Sequence, residues 1–179
     1  MISLLVGSIA YFFAQERYYL SAGALMDSLT GLPNRRLLDS RLSYIHAEAK
    51  RDHKRFGIMV LDVDHFKDIN DQYGHDVGDE VIKAVAARLK SNIREMDTVS
   101  RLGGDEFVIV LKDQLSEQGL VIVATKLLDV FKVPMLINDR EIAVRLSIGL
   151  TLYEPASEVT LKQLLKQADM ALYKAKQSD

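Results

Sequence analysis

The stretch Arg101-Leu102-Gly103-Gly104-Asp105-Glu106-Phe107 constrains this chain more than any other. Two glycines stand between two short apolar runs. Glycine tolerates positive φ, so the pair lets one strand reverse tightly into the next. Phe107-Val108-Ile109-Val110-Leu111 then reads as a buried strand. Asp105 and Glu106 therefore lie at the mouth of a strand beside bare backbone. Carboxylates so placed can hold a cation, and Gly103 and Gly104 leave room for a phosphate to approach the main chain. The same residues also describe a solvated, acidic hairpin tip. The heptapeptide alone does not choose between the two readings.

Of the 179 residues, 48% are hydrophobic, enough for one domain with a real core and a short appendage. The 23 basic and 25 acidic residues give a net charge of −2, which offers no general attraction to a nucleic acid polymer. With no cysteine there are no disulfides or thiolate metal sites. A metal would take oxygen or imidazole ligands, with Mg²⁺ and Mn²⁺ foremost.

Residues 1–14 are uncharged and apolar, too short to cross a bilayer as a helix, which takes about 20 residues, and without the basic start of a signal peptide. Two readings stand: the end of a transmembrane helix, or an amphipathic helix packing on a partner. The flanking Gln15-Glu16-Arg17-Tyr18-Tyr19 resembles a membrane-interface boundary and favours the first. Residues 15–27 read as a linking helix, and 28–179 as the domain proper.

Gly31 and Pro33 break the chain before a helix carrying Leu37, Leu38, Leu42 and Ile45 at helical spacing. Phe56 to Val63 is a continuous apolar run, a strand covered on both faces, ending in Asp62-Val63-Asp64. A short helix is expected from His65 to about Tyr73. Asp76 is expected to cap a further helix with Val77, Val81, Val85 and Leu89 inside, running to about Arg94. Strands are expected from about Thr98 and over Phe107–Leu111, then a helix over 116–133. Met135–Ile137 should pair, across Asn138-Asp139-Arg140, with one long strand in which Ile142, Val144, Leu146, Ile148, Leu150 and Leu152 alternate. A last helix should span about Thr160 to Gln177. This order predicts an α+β domain: a mostly antiparallel central sheet flanked by helices.

Asp62 and Asp64 end one strand while Asp105 and Glu106 begin another. On neighbouring strands three or four carboxylates would converge with no Lys or Arg interleaved in either cluster. Such crowding is costly unless a cation neutralises it. Two Mg²⁺ ions bridging a triphosphate would do so and would assist an in-line displacement. Asn70 and Asp79 form a second pair: an amide and a carboxylate can together meet the donors and acceptors of a guanine edge. Ordinary helix capping describes them too, and the sequence alone favours it slightly.

These residues, in this order and spacing, resemble the GGDEF-domain diguanylate cyclases. The blocks are Asp27 to Arg36, Leu61 to Lys67 with Asn70-Asp71 and Gly74-His75, Gly78-Asp79, Arg101 to Phe107, Ser147-Ile148-Gly149, and Ala168 to Lys176. The resemblance implies a fold like that of polymerase palms and nucleotidyl cyclases. It also implies the condensation of two GTP into cyclic di-GMP and two pyrophosphates across a homodimer. By position, it implies that Asp62, the Val63 carbonyl, Asp105 and Glu106 serve two Mg²⁺ (or Mn²⁺) ions. Asp105 would take the 3′-hydroxyl proton and Lys67 would stabilise the transition state. Backbone N–H groups of His65, Phe66 and Lys67 would hold the terminal phosphates, and Lys176 would reach a phosphate. Asn70 and Asp79 would bind guanine, and His75 would contact the substrate.

Five residues separate the stretch Arg94-Glu95-Met96-Asp97 from Gly103, a spacing at which the family places a product-inhibition site for cyclic di-GMP. An arginine fork suits guanine O6 and N7; a surface pair at a helix end is the plainer reading, and the spacing favours the regulatory one. Family members usually continue past the final Ala-Lys with a Gly-Arg that grips phosphate, and Gln177-Ser178-Asp179 stands here instead. The resemblance thus implies a signalling enzyme, a cytoplasmic domain held at the bacterial inner membrane if residues 1–14 anchor it. The alternative is a catalytically weak module that senses GTP or cyclic di-GMP.

Overall fold

The computed structural model describes residues 25–113 and 116–177. The expected apolar segment over 1–14, and the linking helix over 15–27 up to residue 24, lie outside the described residues. In order, the elements are α1 (Arg35–Asp52), β1 (Phe56–Val63), α2 (Phe66–Tyr73), α3 (His75–Ser91), β2 (Thr98–Gly103), β3 (Glu106–Lys112), α4 (Glu117–Phe131), β4 (Met135–Ile137), β5 (Arg140–Ile142), β6 (Leu146–Tyr153) and α5 (Leu161–Lys176).

The main sheet has the order β2-β3-β1-β6, and every neighbouring pair is antiparallel. Period-two geometry sends alternate residues of β1 to opposite faces. Phe56, Ile58 and Val60 join Leu38, Leu42 and Ile45 of α1 and Leu164 and Ala168 of α5 in one cluster. Met59, Leu61 and Val63 join Val81, Val85 and Leu89 of α3 and Leu127 and Phe131 of α4 in the other. This is the expected α+β architecture, with β1 buried on both faces.

Local chemistry sets the boundaries. Asn34 caps α1 by accepting from the Leu37 N–H, and Ser116 caps α4 through Gly119. Thr160 and Gln163 close a reciprocal capping box on α5. The expected cap at Asp76 is not formed. Gly74, at φ 88°, both ends α2 and begins α3, so Asp76 lies in the first turn of α3, and the helix stops at Ser91 rather than near Arg94.

The expected long strand is two strands. β5 pairs only with β4, while β6 joins the main sheet, and residues 143–145 between them are not in a strand. Alternation hid the break because Val144, within it, is 2% exposed and keeps the apolar period. The β4–β5 turn is Asn138-Asp139, both at positive φ, as a tight two-residue hairpin requires. β6 is covered on both sides: Ile148, Leu150 and Leu152 pack on one cluster, while Gly149 lies under α5. A Cβ at Gly149 would strike the Ala168 carbonyl and the Leu172 N–H, so glycine here lets helix and sheet approach closely.

Candidate active site

The antiparallel ladder between β1 and β3 puts Asp62 opposite Glu106, and that between β1 and β6 puts Asp62 opposite Ser147. The Val63 N–H donates to the Asp105 carbonyl at 3.3 Å, tying the turn to the end of β1. Gly103 at φ 143° and Gly104 at φ 54° make the reversal, and the register shifts between Arg101 and Gly103. The carboxylates of Asp62 and Asp105 are thereby brought together. Burial, then the negative charge of Asp62, pushes the Asp105 carboxyl above its ordinary range, with Lys176 and Arg101 pulling the other way.

The surroundings differ from the expected unrelieved acidic cluster. Lys176, from the last turn of α5, places its Nζ 2.6 Å from Asp62 Oδ1. Asp64 turns aside and accepts a 2.7 Å hydrogen bond from Ser147 Oγ. Glu106 is exposed. Among the described residues no group of three or more His, Asp or Glu is gathered in a metal-holding arrangement. Lys176 thus brings an ammonium to a cluster that carries no cation within its own segments. Sequence spacing could not show this, because Lys176 lies far from both clusters in the chain. The donors that remain, Asp62, Asp105 and the Val63 carbonyl at the end of β1, are all oxygen, the ligand type that hard dications prefer.

The start of α2 adjoins this pair. Its N-cap residue, His65, sits at φ 55° and makes no side-chain cap bond; its Nδ1 is instead 3.2 Å from the Asp68 carboxylate. The N–H groups of Asp68 and Ile69 return to the His65 carbonyl. Phe66 and Lys67 occupy the first turn, where unpaired N–H groups and the helix dipole favour an anion. Lys67 is exposed and Phe66 half-buried.

Asn70 packs against Gly78, the residue before Asp79. Gly78, buried at the α2–α3 contact, has no Cβ, and a Cβ there would strike Asn70 Oδ1. The Asn70 amide thus lies against the residue next to the exposed Asp79. His75 begins α3 and is exposed.

Arg94 and Asp97 do not form an ion pair. They close a turn after α3: the Asp97 carboxylate accepts from the Arg94 N–H at 3.3 Å and the Lys112 N–H at 3.0 Å. Both line a cavity of about 460 Å³ with Arg41, Lys90 and Pro33.

One pairing went unread in the sequence. Arg101 donates through Nη1 to both Asp27 oxygens and through Nε and Nη2 to the Gly104 carbonyl. Thr30 adds its N–H and hydroxyl to Asp27 Oδ1. Burial acts to raise the Asp27 carboxyl, but the bonds from Thr30 and Arg101 prevail and hold it below its ordinary range. A signal was available: Arg101 is the one charged residue in the strand Thr98–Gly103.

The sequence pattern described as "diguanylate cyclase, GGDEF domain" matches residues 24–179. The bifunctional diguanylate cyclase/cyclic di-GMP phosphodiesterase MucR of Pseudomonas aeruginosa is 42% identical over 86% of this chain and 22% of its own length. The probable diguanylate cyclase DgcC of Escherichia coli is 32% identical over 98% of this chain and 48% of its own. The chain thus spans less than half the length of these curated relatives. Among solved structures, the GGDEF domain of TpbB from P. aeruginosa superposes with a TM-score of 0.81 at 37% identity, covering 86% of this chain and 90% of that one. The coiled coil and GGDEF domain of DgcB from Caulobacter crescentus, in complex with c-di-GMP, gives a TM-score of 0.86 at 26% identity, covering 98% and 94%. The fold, the Gly-Gly turn with its paired aspartates and these matches agree that the chain belongs to the GGDEF-domain diguanylate cyclase family.

Proposed function

We propose that this chain is a diguanylate cyclase, joining two GTP molecules into cyclic di-GMP with release of two pyrophosphates. The observation that carries the reading is the meeting of Asp62 and Asp105 at the ends of neighbouring strands, beside a glycine turn. Each of two chains holds one GTP, and the two 3′-hydroxyls attack each other's α-phosphorus. The active form is therefore a homodimer.

Asp62, Asp105 and the Val63 carbonyl would hold Mg²⁺, with Glu106 in support from the next strand position. Bound there, the ions supply positive charge against the triphosphate and acidify the attacking hydroxyl. Asp105 takes the 3′-hydroxyl proton. The N–H groups of Phe66 and Lys67 receive the terminal phosphates, and the Lys67 ammonium offsets charge on the transferring phosphoryl group. Lys176 leaves Asp62 for a phosphate when nucleotide arrives. The Asn70 amide and the Asp79 carboxylate read the guanine edge, and His75 borders the nucleotide. Gly103 and Gly104 keep side chains out of its path.

Cyclic di-GMP is also the inhibitor in this reading, bound by Arg94 and Asp97 in the cavity they line. A membrane anchor through residues 1–14 would place the domain at the inner face of a bacterial membrane. Among the described residues no helix is long and apolar enough to cross a membrane.

Incubation of the purified chain with GTP and Mg²⁺, followed by pyrophosphate release and chromatography of the product, tests the reading. Release at a rate rising more than linearly with protein concentration is expected. Nucleotide binding with no release at high concentration would favour the sensing module instead.

A further inference from the structure

The β1–β6 ladder continues one step beyond the strands themselves. The Asp64 N–H donates to the Arg145 carbonyl at 3.0 Å, after the pairs Asp62–Ser147 and Val63–Leu146. Residues opposite each other in an antiparallel ladder share a face. Arg145 therefore stands on the face of Asp62, Asp64 and Ser147, the face on which Lys176 reaches Asp62. It lies two residues, about 7 Å, along the chain from Ser147.

Asp64 Oδ1 is bonded by Ser147, and Lys132 is bonded by Asp129 at 2.7 Å. Among the described residues the Arg145 guanidinium has no hydrogen-bonded or ionic partner. It is exposed and lines a cavity of about 520 Å³ with Asp64, Phe131, Lys132, Ser147 and Ala175. The cavity's lining residue Ser147 is the ladder partner of Asp62, and Ala175 precedes Lys176, which meets Asp62. A free guanidinium presents a planar fork that matches phosphate oxygens two at a time, and it sheds water more readily than an ammonium.

We propose that Arg145 binds the terminal phosphates of the nucleotide, reaching them from the β6 edge of the acidic pair. This rests on the nucleotide reading above. Arg145 acts on the tail alone, away from the guanine residues Asn70 and Asp79. Its removal weakens triphosphate binding and leaves recognition of the base intact.

The test is Arg145→Ala and Arg145→Lys in the whole chain, each checked for an unchanged melting temperature. With GTP and Mg²⁺ the expected result is a KM about tenfold higher in Arg145→Ala, a much smaller change in kcat, and partial recovery in Arg145→Lys. Inhibition by inorganic tripolyphosphate should weaken in step. An unchanged KM and unchanged tripolyphosphate inhibition would overturn the assignment. If the unaltered chain releases no pyrophosphate, the cyclase reading fails, and titration with a non-hydrolysable GTP analogue and with GMP still decides Arg145. Loss of the preference for triphosphate in Arg145→Ala would support it. An equal ratio in the two proteins, or no binding by the unaltered chain, would overturn it.

Discussion

The guanidinium of Arg101 grips the Asp27 carboxylate, 74 residues away, at 2.9 and 3.1 Å, and the Gly104 carbonyl at 2.7 and 3.0 Å. One side chain thereby fastens the segment entering the domain to the turn that carries Asp105. The Arg101 N–H also donates to the Pro33 carbonyl at 3.0 Å. These bonds tie residues 27–33 to the Gly-Gly turn.

Replacing Asp27 with Ala should cost about 2 kcal/mol of stability, the scale of charge-assisted hydrogen bonds. The pair is nearly enclosed, with side chains 10% and 19% exposed, so solvent screening does not erase it. The pH dependence has a definite sign. Asp27 binds its proton less tightly folded than unfolded, so its contribution is complete above the unfolded value of about 3.8 and disappears as pH falls through the lower folded value. Urea unfolding of the parent should lose stability across that acidic range, with a shallower loss in Asp27→Asn. Parallel curves for the two proteins would refute the assignment.

Asp105 behaves oppositely. Its folded pKa lies above the unfolded one, so its stability contribution is greatest at low pH and diminishes as pH rises through the folded value. Burial and the charge of Asp62 both oppose ionisation of Asp105. Asp105→Asn should therefore melt no lower than the parent while releasing no pyrophosphate. Millimolar Mg²⁺ with a GTP analogue should raise the parent's melting temperature and move that of the variant far less. A variant that turns over at the parent rate would remove Asp105 from the chemistry.

Gly149→Ala tests the seam between sheet and α5. The added methyl meets backbone at the Ala168 carbonyl and the Leu172 N–H, which cannot swing aside as a side-chain tip can. Overpacking of this kind costs about 1–3 kcal/mol, and contact with backbone favours the upper end. Since α5 also carries Lys176 to Asp62, pyrophosphate release should fall along with the melting temperature. Undiminished stability would mean that the helix can shift outward without penalty.

The sheet and the Gly-Gly turn were legible because they are local: an apolar run from Phe56 to Leu61, paired glycines, strict alternation. What sequence could not show is where distant side chains point. Lys176 meeting Asp62 and Arg101 meeting Asp27 join residues far apart in the chain. Asn70 packing on Gly78, eight residues on, is another such contact between residues apart in the chain. The division between β5 and β6 was lost for another reason. Val144 continues the apolar alternation although it lies between the strands, and periodicity records burial rather than pairing.

The proposed inhibitory site separates by mutation because its two residues have unequal second tasks. The Asp97 carboxylate holds the turn after α3 to β3 through the Arg94 and Lys112 N–H groups, so Asp97→Ala also loosens structure. Arg94 uses only its backbone in that turn, and its side chain is exposed. Arg94→Ala should therefore leave the melting temperature and the initial rate unchanged while raising the concentration of cyclic di-GMP that halves the rate, by about tenfold if an arginine–guanine fork worth 1–3 kcal/mol is lost. Asp97→Ala should relieve inhibition and lower the melting temperature together. If Arg94→Ala is inhibited at the same product concentration as the parent, the cavity beside α3 is not where product acts.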